Sequence, residues 1–321
     1  MPHLIFTEYD AYAETVRDVS VRMRMCSRQV SKWTMQFAAV GSLAVQNGFE
    51  GGGSIAEGVN GSDAWSFYFQ SRPGRANGHD LNEDEVFAVP PGGEFCLVCK
   101  PSHEWISVHI PPSLLFPPAL ESEFASCASA RLLKPSPEVT RRFKSLVHRV
   151  LATTESYPRM LDCPVAVGSC QDELLLAAQG LFAGCQQVEG RHFDRWRSIT
   201  RSTLELAMRS PGQSRSIAEL AQQAGVPERT FRNAFHRSYG IPPQDYLRIQ
   251  RLYEARHLLR ESCHDRTTVT MIAFGLGFWD LGRFAGRYFT LFGERPSETL
   301  RKDVVNRRHS QPPVGRNGMI E

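Results

Sequence analysis

The chain has 321 residues with 41% hydrophobic and 22% charged residues, a composition that fits a soluble protein with room for two cores. No run of about 18 apolar residues could span a bilayer, and no apolar segment follows a basic start. The net charge of +3 divides unevenly: residues 1–194 carry 16 Lys/Arg against 22 Asp/Glu, and residues 195–310 carry 20 against 11. A basic C-terminal module joined to an acidic one points to nucleic-acid binding by the C-terminal part. The eight cysteines are scattered, so we expect reduced thiols and a cytoplasmic location. Cys96 and Cys99 form a lone C-x-x-C on a strand, where residues three apart face opposite sides, which disfavours a metal site.

Residues 1–25 show no clear pattern and read as an irregular or helical lead-in. From about residue 28 to 111, short apolar runs alternate with turn signals such as Asn47-Gly48, Asn60-Gly61 and Asn77-Gly78. The runs Thr34–Val40, Ala64–Phe69, Val86–Val89, Glu94–Cys99 and Trp105–Ile110 predict strands of a sandwich or small barrel. Trp65, Phe67, Phe69 and Trp105 are candidates to line an effector pocket there, against the alternative of plain core. Glu138–Thr153 and Gln171–Gly184 then read as amphipathic helices. A boundary is expected near Val188–Arg195, followed by a helix carrying Trp196, Ile199, Leu206 and Ala207 that ends at Ser210-Pro211-Gly212. Three units follow: residues 1–190, residues 191–302, and a disordered tail over 303–321.

Residues 217–247 and 269–300 are two copies of one pattern. Leu220, Ala221 and Gly225 align with Ile272, Ala273 and Gly277, while Phe231, Phe235, Tyr239, Gly240 and Pro243 align with Phe284, Tyr288, Phe292, Gly293 and Pro296. Each copy holds a small-residue helix, a glycine turn, a second helix with aromatic anchors and a Gly-x-x-Pro stop, the plan of a helix-turn-helix. In the first copy the stripe Phe231, Phe235, Tyr239 faces inward, with Arg229, Arg232, Asn233 and His236 presented outward as base-reading candidates. Thr230 and Arg237 border that face and suit phosphate. The second copy buries Phe284, Tyr288 and Phe292, with Phe289 alongside, and presents Gly282, Gly286 and Thr290 flanked by Arg283 and Arg287. Glycines read no bases, so Arg283, Arg287 and Thr290 are assigned to phosphate and positioning: one reader and one clamp. Between the copies, Pro243–Arg260 predicts one helix, with Arg248, Arg251 and Arg256 supplying charge. A rigid rod here would set the reading helices one turn of DNA apart, about 34 Å.

The segments RLYEARHLL (Arg251–Leu259), IAFGLGF (Ile272–Phe278) and GERP (Gly293–Pro296) carry a family resemblance. On them, residues 195–301 resemble the DNA-binding domain of the AraC/XylS transcription regulators. That resemblance implies two helix-turn-helix subdomains joined by a helix, sequence-specific binding to double-stranded DNA, and activation through contact with RNA polymerase. The family's base-reading positions fall on Arg229 and Asn233, and in the second copy on Gly282 and Gly286. Pro227 stands where the family usually has an N-cap serine. Through Ser27-Arg28-Gln29-Val30 and the Phe87–Gly93 run, the N-terminal part resembles the cupin-like sensor domains of ethanolamine-operon-type activators. The fold class is therefore α+β: a β-rich, cupin-like sensor domain with a helical dimerisation segment, then an all-α DNA-binding domain. His79 and His109 are isolated, so neither a metal nor another cofactor is expected. The expected function is a homodimeric, ligand-responsive activator with a small-molecule effector and no membrane attachment. Two alternatives are control by a protein partner and a cupin-type enzyme fused to a DNA-binding module; the enzyme lacks its metal triad or activated cysteine.

Overall fold

The computed structural model describes residues 3–28, 32–116, 129–183, 186–188, 199–200, 216–262 and 267–301. The expected boundary, most of the helix around Trp196 and the tail 303–321 lie outside the described residues. Ile199 of that helix is described, and it is buried beside Phe231 and Phe235.

Thirteen strands among the described residues form two antiparallel sheets. The larger holds, in spatial order, β1 (Leu4–Phe6), β3 (Trp33–Val40), β4 (Leu43–Glu50), β11 (His103–Ile110), β6 (Trp65–Gln70), β9 (Val86–Val89), β12 (Arg131–Lys134) and β13 (Gln186–Val188). The smaller holds β2 (Val19–Met25), β5 (Ser54–Asn60), β10 (Glu94–Cys99), β7 (Gly74–Ala76) and β8 (His79–Leu81). Both sheets are open, which corrects the cupin-like expectation. A closed barrel has no edges, whereas here β1 and β13 end one ladder and β2 and β8 end the other. The α+β class with an all-α C-terminal part stands.

The lead-in is more regular than its sequence suggests, with β1, helix α1 (Tyr9–Ala13) and β2 all falling before residue 26. Strand β4 also passes straight through Asn47-Gly48. Gly48 is there for space rather than for a turn: a Cβ on it would lie 2.4 Å from Trp105 Cε2, on the neighbouring strand. Asn77-Gly78 does form the turn that the sequence predicts, joining β7 to β8 with φ of 49° and 75°.

Strand β6 is buried along its whole length, because both faces of the large sheet are covered. Short helix α2 (Pro112–Leu115) and the long helices α3 (Pro137–Ser156) and α4 (Pro164–Phe182) follow the strands. Ser136 accepts a hydrogen bond from Val139 N and so caps α3, with Pro137 at its first turn. Phe143, Leu146, Val147 and Val150 of α3 and Leu174, Ala178 and Leu181 of α4 bury against Trp65, Phe67, Phe69, Ile106 and Val108. This helix pair thus covers the outer face of the large sheet with its apolar residues.

The C-terminal helices are α5 (Ile217–Gln223), α6 (Glu228–Tyr239), α7 (Pro243–Glu261), α8 (Val269–Gly275) and α9 (Leu281–Phe292). They pack against the outer face of the small sheet and its flanking segments, so β-rich and helical parts share buried clusters. Ile55 and Cys96 join Phe231, Phe235 and Tyr239, while Met25 and Trp33 belong to one cluster with Phe284 and Tyr288.

Candidate nucleic-acid interface

Helices α5 and α6 make the first helix-turn-helix, and α8 and α9 make the second. Each turn passes through a left-handed glycine, Gly225 at φ 66° and Gly277 at φ 77°. Each second helix ends on another, Gly240 at 68° and Gly293 at 73°. Four glycines at matched positions supply backbone conformations that a Cβ disfavours, so the two copies share one geometry. Ser216 and Glu219 form a reciprocal capping box on α5, and Asp280 accepts from Arg283 N to cap α9. Pro227 precedes α6 without any side-chain cap.

On α6 the stripe Phe231, Phe235, Tyr239 is buried, and Arg229, Arg232, Asn233 and His236 stand exposed on the opposite face. Arg232 is paired with Glu228 one turn earlier at 2.6 Å, so it must exchange partners to reach a base. Thr230 is half-buried and Arg237 exposed. Arg75 of β7 donates to the carbonyls of His236 and Arg237 at 2.6 and 2.9 Å, placing a cation at the negative end of α6.

On α9, Phe284, Tyr288 and Phe292 are buried, whereas Phe289, expected beside them, is 52% exposed. Gly282, Gly286 and Thr290 lie exposed as the sequence places them. Nothing lies within 4 Å of where a Cβ on Gly286 would sit, so packing does not require glycine there. The Thr290 hydroxyl donates to the Gly286 carbonyl at 2.9 Å, inside its own helix. Arg283 pairs with Asp280 at 3.2 Å.

The linker helix α7 adds residues that periodicity alone does not rank. Arg251 lies over the Phe278 ring at 5.4 Å. Burial, with Arg248 and Arg287 nearby, pushes its guanidinium below the ordinary range. Arg251 and Arg287, with Arg248 paired to Asp245 at 2.7 Å, thus gather positive charge where α7 meets the second copy. Arg256, read from sequence as part of that charge, is instead 4% exposed and sits among Glu8, Asp10 and Glu294 at 3.3, 2.8 and 3.4 Å.

The pocket candidates divide by strand face. Trp65, Phe67 and Phe69 point toward α3 and α4, with Phe67 and Phe143 rings 6.2 Å apart edge-on. Only Trp105 of the four faces the space between the sheets. Cys96 and Cys99 do face opposite ways, Cys96 Sγ toward the Ser238 carbonyl at 3.9 Å and Cys99 into the inter-sheet cavity. Among the described residues no cluster of His, Cys, Asp and Glu could hold a metal, and no helix is long and apolar enough to cross a membrane.

Residues 220–302 match the model of a helix-turn-helix domain. The chain is 38% identical over 87 residues, 27% of either protein, to the XylDLEGF operon transcriptional activator of Pseudomonas putida. It is 28% identical over 146 residues to the transcriptional activator RhaS of Pectobacterium atrosepticum, covering 46% of this chain and 50% of that one. A solved probable AraC family regulator from Rhodopseudomonas palustris shares 34% identity, over 33% of this chain and 96% of its own, with a TM-score of 0.30. The chain therefore spans 27% and 50% of the length of these two curated relatives. By that double helix-turn-helix module, the chain belongs to the AraC/XylS family of helix-turn-helix transcription regulators.

Proposed function

We propose that this protein is a sequence-specific regulator that binds double-stranded DNA through residues 191–302 and activates an adjacent promoter. Residues 1–190 act as its sensing and dimerising part. The observation that carries the reading is the exposed, polar face of α6 (Arg229, Arg232, Asn233, His236) mounted on a buried aromatic stripe, with a second, side-chain-poor copy in α9. Arg229 and Asn233 read base edges, and Arg232 and His236 join them once Arg232 leaves Glu228. Thr230, Arg237, Arg283, Arg287 and Thr290 position the duplex, with Arg248 and Arg251 adding phosphate contacts. Homodimerisation, contact with RNA polymerase and response to a small effector follow from the family and complete the reading.

The test is binding of the full chain to its selected DNA site. Asn233→Ala should cost about 1–3 kcal/mol and relax preference at defined base pairs. Arg287→Ala should weaken binding to all sequences alike and lower the salt slope by about one. If Arg287→Ala shifts sequence preference more than Asn233→Ala does, the division into reader and clamp is wrong.

A further inference from the structure

The space between the sheets is a cavity of about 60 Å³ whose wall is almost wholly apolar, with Met23, Ala56, Phe95, Leu97 and Trp105 on it. Glu50 also lines it, from the end of β4. Its side chain is 1% exposed; Ser54, Trp105 and Tyr12 surround the carboxyl as donors, and its Oε2 is the atom left without a close partner. The cross-strand neighbour of Glu50 is His103, likewise 1% exposed, which lies against the Lys100 backbone and is held below the ordinary imidazole range by burial. A buried acceptor left unpaired is costly, and a donor arriving with a ligand would relieve it. At the far end of the cavity the polar groups already satisfy one another. Ser66 Oγ lies 2.7 Å from His109 Nδ1 and donates to Asn60 Oδ1 at 2.6 Å.

We propose that this cavity binds a small apolar molecule bearing one primary ammonium group, the ammonium donating to Glu50 and the hydrocarbon lying between Phe95, Leu97 and Trp105. The assignment rests on the N-terminal part being the sensing part. Burial holds the Glu50 carboxyl above the usual carboxylate range, so an arriving cation also favours its ionised form. An anion would meet that carboxylate in a low-dielectric site, and a neutral alcohol would satisfy the hydrogen bond without the charge. Arg17 is the one cation on the cavity wall and defines the rival, anionic ligand class.

The space is well below the roughly 150 Å³ that accepts a benzene ring. A single-ring ligand must therefore press the sheets apart. The small sheet that forms one wall carries Glu57 and Cys96 on its other face, in contact with Tyr239, Tyr246 and Ser238 of α6 and α7 and the end of α6. Entry of the ligand thus strains the strands on which the first reading helix is seated.

The experiment is calorimetric titration of the DNA-free full chain with benzylammonium, benzyl alcohol and phenylacetate. Benzylammonium should bind at least tenfold more tightly than the alcohol, and phenylacetate should not bind. Glu50→Gln should erase the preference for the amine while keeping the alcohol's affinity, and Ala56→Leu, which fills the cavity, should abolish both. Failure of all three probes to bind, phenylacetate binding lost in Arg17→Ala, or an amine preference that survives Glu50→Gln would each overturn the proposal. DNA affinity measured on the same preparation separates the two readings: if it is intact while the amine fails, only the ligand class falls.

Discussion

Removing the Glu57 carboxylate tests whether the first helix-turn-helix is held energetically on the small sheet or merely rests against it. Tyr239 Oη donates to Glu57 Oε1 at 2.9 Å, and Tyr246 Oη donates to Oε2 at 2.7 Å. The two phenol rings lie 4.4 Å apart and are 4% and 3% exposed. Burial, with Glu57 adding to it, pushes both hydroxyls far above their ordinary range, so they act only as donors to the carboxylate. Hydrogen bonds to a charged acceptor contribute about 1.5–3 kcal/mol each. Glu57 is half-buried, so water replaces part of what is lost, and Glu57→Ala should cost about 3 kcal/mol. That is about a hundredfold in the equilibrium that seats α6 on the sheet. Urea unfolding gives the free energy, and hydrogen exchange at the amides of α6 and β5 locates it. Tyr239→Phe and Tyr246→Phe should each cost about half as much, and adding both to Glu57→Ala should cost little more, because all three remove one network. A Glu57→Ala cost below about 0.5 kcal/mol with α6 protection unchanged would refute the reasoning, since surface changes have that size.

Two glycines of one helix should respond to alanine with opposite sign. Gly286→Ala, in open space, should stabilise the fold by up to about 1 kcal/mol, whereas Gly293→Ala, at φ 73° and against the Arg28 guanidinium, should destabilise it by about 1–2 kcal/mol in thermal unfolding. Burial pushes the His109 imidazole down to about 4. Above its ordinary value near 6.5 both states are neutral; as pH falls, the unfolded chain takes up a proton that the folded one refuses, and stability drains until the folded value is passed. Between pH 7 and 5 the wild type should lose about 2 kcal/mol more than His109→Gln in urea unfolding; equal losses would mean that the ring is hydrated. Arg256→Ala should cost about 2 kcal/mol by removing the cation that Glu294 and Asp10 share, Asp10 keeping its pair with Arg260, with the sequence preference of DNA binding unmoved, as read by competition titration.

Legibility in the sequence followed the range of the interactions involved. The helix-turn-helix copies were readable because everything that shapes them is local: left-handed glycines at the turns, aromatics four residues apart, and polar residues on the opposite face. The Arg256 cluster was not readable, because its partners Glu8 and Asp10 lie some 250 positions away and nothing in the spacing of α7 marks one arginine as buried. Strand β4 was obscured by Asn47-Gly48, a turn signal in isolation that serves here as clearance for an indole on the next strand. The barrel expectation failed for a related reason: strand runs and turns set the number of strands, but whether the last strand meets the first is decided by long-range pairing.

The pocket candidates show most sharply why an accurate strand assignment still leaves open which side a residue faces. Along β6, Trp65, Phe67 and Phe69 alternate with Ser66, Tyr68 and Gln70, and aromaticity alone favours the first set as the ligand wall. Those rings are committed to α3 and α4, which a one-sided sheet would have lacked. The second set shares the inter-sheet space, where Ser66 and Tyr68 line the cavity. On β11 the same parity turns Trp105, Ser107 and His109 inward and leaves Ile106 and Val108 to the helices. Once the paired register Val108↔Phe67 is known, facing follows for every residue of both strands, because a single step along a strand reverses the side. What the sequence lacked was therefore one bit per strand, and helices α3 and α4 supply it by claiming the more apolar face.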